Sequence, residues 1–193
     1  MKKKIFCLFV IYSVHFVTIQ AQPAAAARIN DGYRGNKKIS SEYFTVYAED
    51  TSALNRFEYH FTVPSSIDAI VPEPTVIYDT GDVGGELDVL YLAIAEILDI
   101  HIKKFHCNVK VCSDAASLAR ISERLFGRTV RVPAFYVVDN NTIYVDASNI
   151  SINVLGHELA HALQNEYFVV PPPVKIQEVL SGYVEYQLRK YAH

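Results

Sequence analysis

The sequence predicts an α+β fold in which a small sheet packs against two C-terminal helices. Three observations carry this. Short aromatic and β-branched runs recur, and two of them flank an Asp139-Asn140-Asn141 turn. Apolar residues repeat at helical spacing between 84 and 126 and again beyond 151. One stretch, Leu155-Gly156-His157-Glu158-Leu159-Ala160-His161-Ala162-Leu163, sets three polar positions among apolar ones. Half of the residues are apolar and only 20% are charged. That composition supports a packed core and excludes a disordered chain.

Met1 to Ala21 reads as a secretory signal. Lys2, Lys3 and Lys4 form the charged end, Ile5 to Val17 is largely apolar, and small residues follow at Ala21 and at Ala24 to Ala27. The apolar run is short for a membrane span; an uncleaved N-terminal anchor is the rival reading. Cleavage near Ala21 removes three lysines and no acid, which moves the formal net charge from −3 to −6. A mildly acidic chain with no basic block argues against nucleic acid as the main partner. Export places the protein in the periplasm or outside the cell, with no stable membrane span after cleavage. Of the three cysteines, Cys7 leaves with the signal. Cys107 and Cys112 are then expected to form one disulfide, with free thiols or a two-cysteine metal site as alternatives.

Residues 22–83 read as an N-terminal extension with short strands. Tyr43 to Tyr47 is one. Phe57 to Val63 alternates apolar with polar and predicts a second, paired with the first as a hairpin. Val76 to Tyr78 is a third candidate. Residues 84–193 read as the main domain. Leu87, Leu90, Ala93, Ile94, Ile97 and Leu98 predict a helix running to about Phe105, with Lys103 and Lys104 in its last turn. A strand is expected at Val109 to Val111. Ser113 or Asp114 then caps a helix carrying Leu118, Ile121 and Leu125, and Gly127 stops it. Val132 to Val138 and Thr142 to Asp146 form a hairpin. If the second strand is a sheet edge, it can accept an extended peptide by strand addition. Asn149 or Ser151 caps the motif helix, which ends before Pro171-Pro172-Pro173. A final helix covers about Val174 to Tyr191.

The motif H-E-x-x-H puts His157 and His161 one turn apart on one helix face, where two imidazoles can hold one Zn²⁺. Glu158 stands where it can reach a water at that ion. The competing reading is a surface helix with solvated histidines. A catalytic zinc site takes three protein ligands and leaves a fourth position open. Glu178 on the final helix is the expected third ligand, and Glu185 is the reserve. Gly182 is expected to allow the final helix to approach the motif helix closely.

These residues resemble the zincin metallopeptidases, in particular small gluzincin-like ones, in which H-E-x-x-H on one helix is joined by a glutamate from the next. The resemblance covers roughly residues 84 to 191 and extends to a group of small exported bacterial metallopeptidase-like proteins of uncharacterised function. It implies a zincin-like fold and hydrolysis of peptide bonds in a peptide or protein substrate. It implies Zn²⁺ on His157, His161 and Glu178, with Glu158 as general base. Tyr183, Tyr186 and Tyr144 are candidates to stabilise the oxyanion. One departure stands out: many gluzincins carry Glu-Gly-Phe/Leu-Ala-Glu-Tyr on the ligand helix, and this chain has Ser181-Gly182-Tyr183-Val184-Glu185-Tyr186. Two other functions remain open at this stage, a catalytically degenerate zincin scaffold that binds rather than cuts, and a zinc amidase acting on cell-wall material.

Overall fold

The computed structural model describes residues 30–71 and 82–191. The expected signal segment and the expected strand at Val76 to Tyr78 lie outside the described residues. Within them the fold is α+β, a small mixed sheet with five α-helices. The strands are β1 (Lys37–Ser40), β2 (Phe44–Ala48), β3 (Cys107–Cys112), β4 (Ala134–Val137) and β5 (Thr142–Asp146), in the order β1-β2-β3-β5-β4. β2, β3 and β5 are parallel, and β1 and β4 are antiparallel edges. Two of the five strands therefore come from the segment read as an extension.

The helices are α1 (Thr51–His60), α2 (Val83–Leu98), α3 (Ala115–Phe126), α4 (Ile152–Tyr167) and α5 (Val174–Arg189). Strand alternation sorts the sheet's side chains onto two faces. Cys107, Val109, Val111, Ile143 and Val145 join the larger core with Phe57 of α1, Leu87 of α2 and Leu155 of α4. Cys112, Phe135 and Tyr144 join the smaller core with Leu118 and Ile121 of α3. Leu155, Leu159 and Leu163 are fully or almost fully buried. Each contributes about 1.5–3 kcal/mol to holding α4 against the sheet.

Several expectations are corrected. Phe57 to Val63 forms no hairpin strand; residues 51–60 are helical. Asp50 accepts a hydrogen bond from the Ala53 amide and starts α1, and Ala53, Phe57 and Phe61 then fall on one buried side. Tyr59, which a strand would place beside Phe57 and Phe61, is 80% exposed. α2 stops at Leu98, not near Phe105. Asp99 takes a left-handed conformation (φ 53°), and its amide donates to Ala95 and Glu96 carbonyls. Lys103 and Lys104 therefore lie beyond the helix.

The expected disulfide is also corrected: Cys107 and Cys112 are buried free thiols. They are the two ends of β3. Five steps of strand separate them by roughly 16 Å, and five being odd, they face opposite sides of the sheet. A bridge needs Cα atoms within about 7 Å. Burial pushes the Cys107 thiol pKa up to about 12 and raises that of Cys112 as well. Finally, Thr142–Asp146 is not an edge. β5 lies between β3 and β4 and is buried along its whole length, so the edge beside α4 is β4.

The remaining signals hold locally. Asp114 caps α3 through the Ser117 amide, Gly127 (φ 68°) ends it, and Ser151 caps α4 through the Val154 amide. Asn141 (φ 47°) closes the turn between β4 and β5. No helix among the described residues is long and apolar enough to cross a membrane.

Candidate metal centre

α4 buries Leu155, Leu159, Ala160, Ala162 and Leu163 and turns its polar residues toward α5 and β4. His157 and His161, four residues apart, are 12% and 11% exposed at the side chain. Their Nε2 atoms lie 3.2 Å apart. The three prolines after α4 reverse the chain, and α5 begins at Val174. It brings Glu178 to both rings. Oε2 lies 3.6 Å from His157 Nε2, and Oε1 lies 3.5 Å from His161 Nε2.

These separations are informative. Bonds of about 2.0–2.1 Å in a tetrahedron put neighbouring donors roughly 3.3–3.4 Å apart. The His157–His161 separation of 3.2 Å and the two Glu178 separations, each to a different carboxylate oxygen, lie close to that value, and one donor atom from each of the three side chains lies within 4.8 Å of the others. Two imidazoles and a carboxylate also suit zinc in donor type. Among the described residues, His157, His161 and Glu178 are the one group of three such side chains whose donor atoms all lie within 4.8 Å of one another.

Glu185 lies two turns further along α5 on nearly the same face, but it reaches the other side of His157. Its Oε2 lies 3.5 Å from Nδ1 of His157, the ring nitrogen that does not face Glu178. Arg189 pairs with its other oxygen. Ser181 does not occupy a ligand position. It is fully buried and accepts a hydrogen bond (3.0 Å) from the Gln164 amide of α4. The residue one turn earlier, Glu178, faces the histidines in its place.

Glu158 is 4% exposed and does not join the three donors. Its Oε2 accepts a 2.9 Å hydrogen bond from the backbone amide of Tyr136 on edge strand β4. This contact had no local sequence signal, because a backbone amide on a neighbouring strand leaves none. Burial pushes the Glu158 carboxyl up to about 7, against the pull of His157 and the Tyr136 amide. Burial also disfavours a charged His157, but the hydrogen bond to Glu178 and the charges of Glu158, Glu178 and Glu185 outweigh it and raise its pKa. His161 is pushed down to about 4, by burial and then by His157. Glu178 is held below the usual carboxylate range, first by its hydrogen bond to His157. Of two neighbouring histidines, His157 therefore carries the proton when no metal competes for it.

Gly182 has open space around a hypothetical Cβ, so it does not mediate helix approach. Gly156 does: a Cβ there would lie 2.1 Å from Leu188 Cδ1. Tyr144 is excluded from the centre. It faces the α3 side of the sheet and donates to Asp31. Tyr183 and Tyr186 are exposed on α5.

The chain matches no protein-family model, no curated protein and no solved structure.

Proposed function

We propose that the chain is an exported zinc-dependent metallopeptidase of zincin-like, gluzincin-type construction. The observation that carries this reading is the convergence of His157, His161 and Glu178 at 3.2–3.6 Å on two packed helices. Beside it stands Glu158, which belongs to the same helix but not to the donor set. Zinc held by the three side chains would supply Lewis acidity and activate water at neutral pH. Glu158 takes the proton of the attacking water and passes it to the leaving amine. The Tyr136 amide keeps its carboxylate in position. β4 is the edge strand beside α4 among the described residues, with its Tyr136 amide engaged by Glu158, and this edge supports an extended peptide or protein segment as substrate. An amide in cell-wall material would call on the same chemistry, but the strand edge favours peptide.

The test is hydrolysis of a peptide library by the metal-loaded protein and by Glu158→Gln. The variant is expected to retain zinc and to lose turnover by about 10²-fold or more. Undiminished hydrolysis by a zinc-loaded Glu158→Gln protein would overturn the assignment. A chain that binds zinc and cleaves neither peptides nor peptidoglycan fragments would instead be a degenerate scaffold.

A further inference from the structure

The α3 side of the sheet carries a second polar site, remote from the candidate metal centre. Residues 30–34 cross this face as a strap. Asp31, 7% exposed, accepts from the Lys110 ammonium, from the Tyr144 hydroxyl (2.6 Å) and from the Tyr33 amide (2.9 Å). The Tyr33 hydroxyl donates to the carbonyls of Tyr47 and Val111 and ties the strap to β2 and β3. Gly32 has φ 72°, and a Cβ there would meet the Arg124 guanidinium at 2.6 Å. Arg124 thus packs on the bare backbone of the strap.

Between strap and α3 lies a cleft of about 840 Å³. Arg34, Arg120 and Arg124 line it. Asp31 and Glu49 line it too; Asp31 is charge-paired with Lys110, whereas Glu49 is bonded by neutral donors and keeps its charge. Those donors are the Ser113 amide (2.9 Å) and the Ser117 hydroxyl. Glu123 is the remaining acid of the lining. The three arginines have no hydrogen bond or ion pair among the described residues, although the chain as a whole is net negative. All three arginines are exposed along this cleft. A guanidinium binds carboxylate or phosphate through paired, charge-assisted hydrogen bonds. The cleft is large enough for a small organic ligand.

We propose that this cleft binds an anion bearing two or more phosphate or carboxylate groups, held by Arg34, Arg120 and Arg124. The site is independent of the metal centre. Its test is titration of the full chain with inorganic phosphate and with succinate at constant ionic strength, followed by amide NMR. The expected result is saturable shifts at Gly32 and in α3 around Arg120 and Arg124, for one probe or both. Affinity should fall at least tenfold in Arg120→Ala/Arg124→Ala and stay unchanged in Lys175→Ala. Tighter binding of phosphate assigns phosphate chemistry, and tighter binding of succinate assigns carboxylate. If the double variant does not fold, Arg34→Ala is read instead, with the same expectation of weakening. Shifts that never saturate, shifts centred on His157 and His161, or affinity unchanged in the arginine variants would overturn the proposal.

Discussion

Glu185 Oε2 lies 3.5 Å from Nδ1 of His157, while Nε2 of the same ring faces His161 and Glu178. The two glutamates of α5 therefore address opposite nitrogens of one imidazole. A carboxylate at Nδ1 holds the proton there and leaves Nε2 free as a donor to metal. Glu185→Gln is expected to weaken zinc binding by about 10–100-fold, whereas Glu178→Ala should abolish stoichiometric binding. Competition with a chelator of known affinity measures both. Equal losses in the two variants would put Glu185 among the ligands.

The two glycines of the helix pair should respond in opposite directions. Gly156→Ala forces its Cβ against Leu188. It is expected to cost about 1–3 kcal/mol through overpacking, and to weaken zinc binding by shifting Glu178 relative to the histidines. Gly182→Ala meets open space inside a helix and should stabilise by about 0.5–1 kcal/mol. Thermal unfolding of both variants separates them. A destabilised Gly182→Ala beside an unaffected Gly156→Ala would contradict the packing described here.

Metal uptake should depend on pH with a definite sign. The metal-free His157 has a pKa raised above the ordinary histidine value. Metal binding must displace that proton, so apparent affinity falls as pH drops through the raised pKa, by about tenfold per pH unit. His161, pushed down to about 4, stays neutral over this range and adds no dependence. Zinc titrations between pH 5 and 8 with proton-release calorimetry check this. Flat affinity below pH 6.5 would contradict it.

Cys107 and Cys112 should not react with a thiol reagent in the native protein and should both react after denaturation. Reducing agent should leave the Tm unchanged. Both follow from burial at opposite ends of one strand. Rapid native labelling, or a Tm that falls on reduction, would refute them.

What the sequence disclosed and what it hid divide along one physical line. Caps at Asp114, Ser151 and Gly127, the hairpin around Asn141, and the one-turn spacing of His157 and His161 depend on neighbours a few residues away. All were legible. The approach of Glu178 to the histidines was legible from its place on the helix that follows the three prolines, 17 residues after His161, with Glu185 as the reserve. The segment at Phe57 to Phe61 satisfies both strand and helix periodicity, and the Asp50 cap decides between them. The pairing of β2 with β3 and the interior place of β5 follow from parallel pairings across more than 30 residues. Periodicity does not encode these. The roles of Gly156, the Tyr136 amide and the arginine cleft likewise arise where distant segments meet.

Zinc stoichiometry decides whether His157, His161 and Glu178 form a three-ligand zinc site. The protein purified from an export system would be measured beside Glu178→Ala, with circular dichroism to verify folding. About one zinc per chain is expected in wild type and none in the folded variant. A folded wild-type protein that takes up no zinc, or a Glu178→Ala variant that binds it with undiminished affinity, would contradict the three-ligand site.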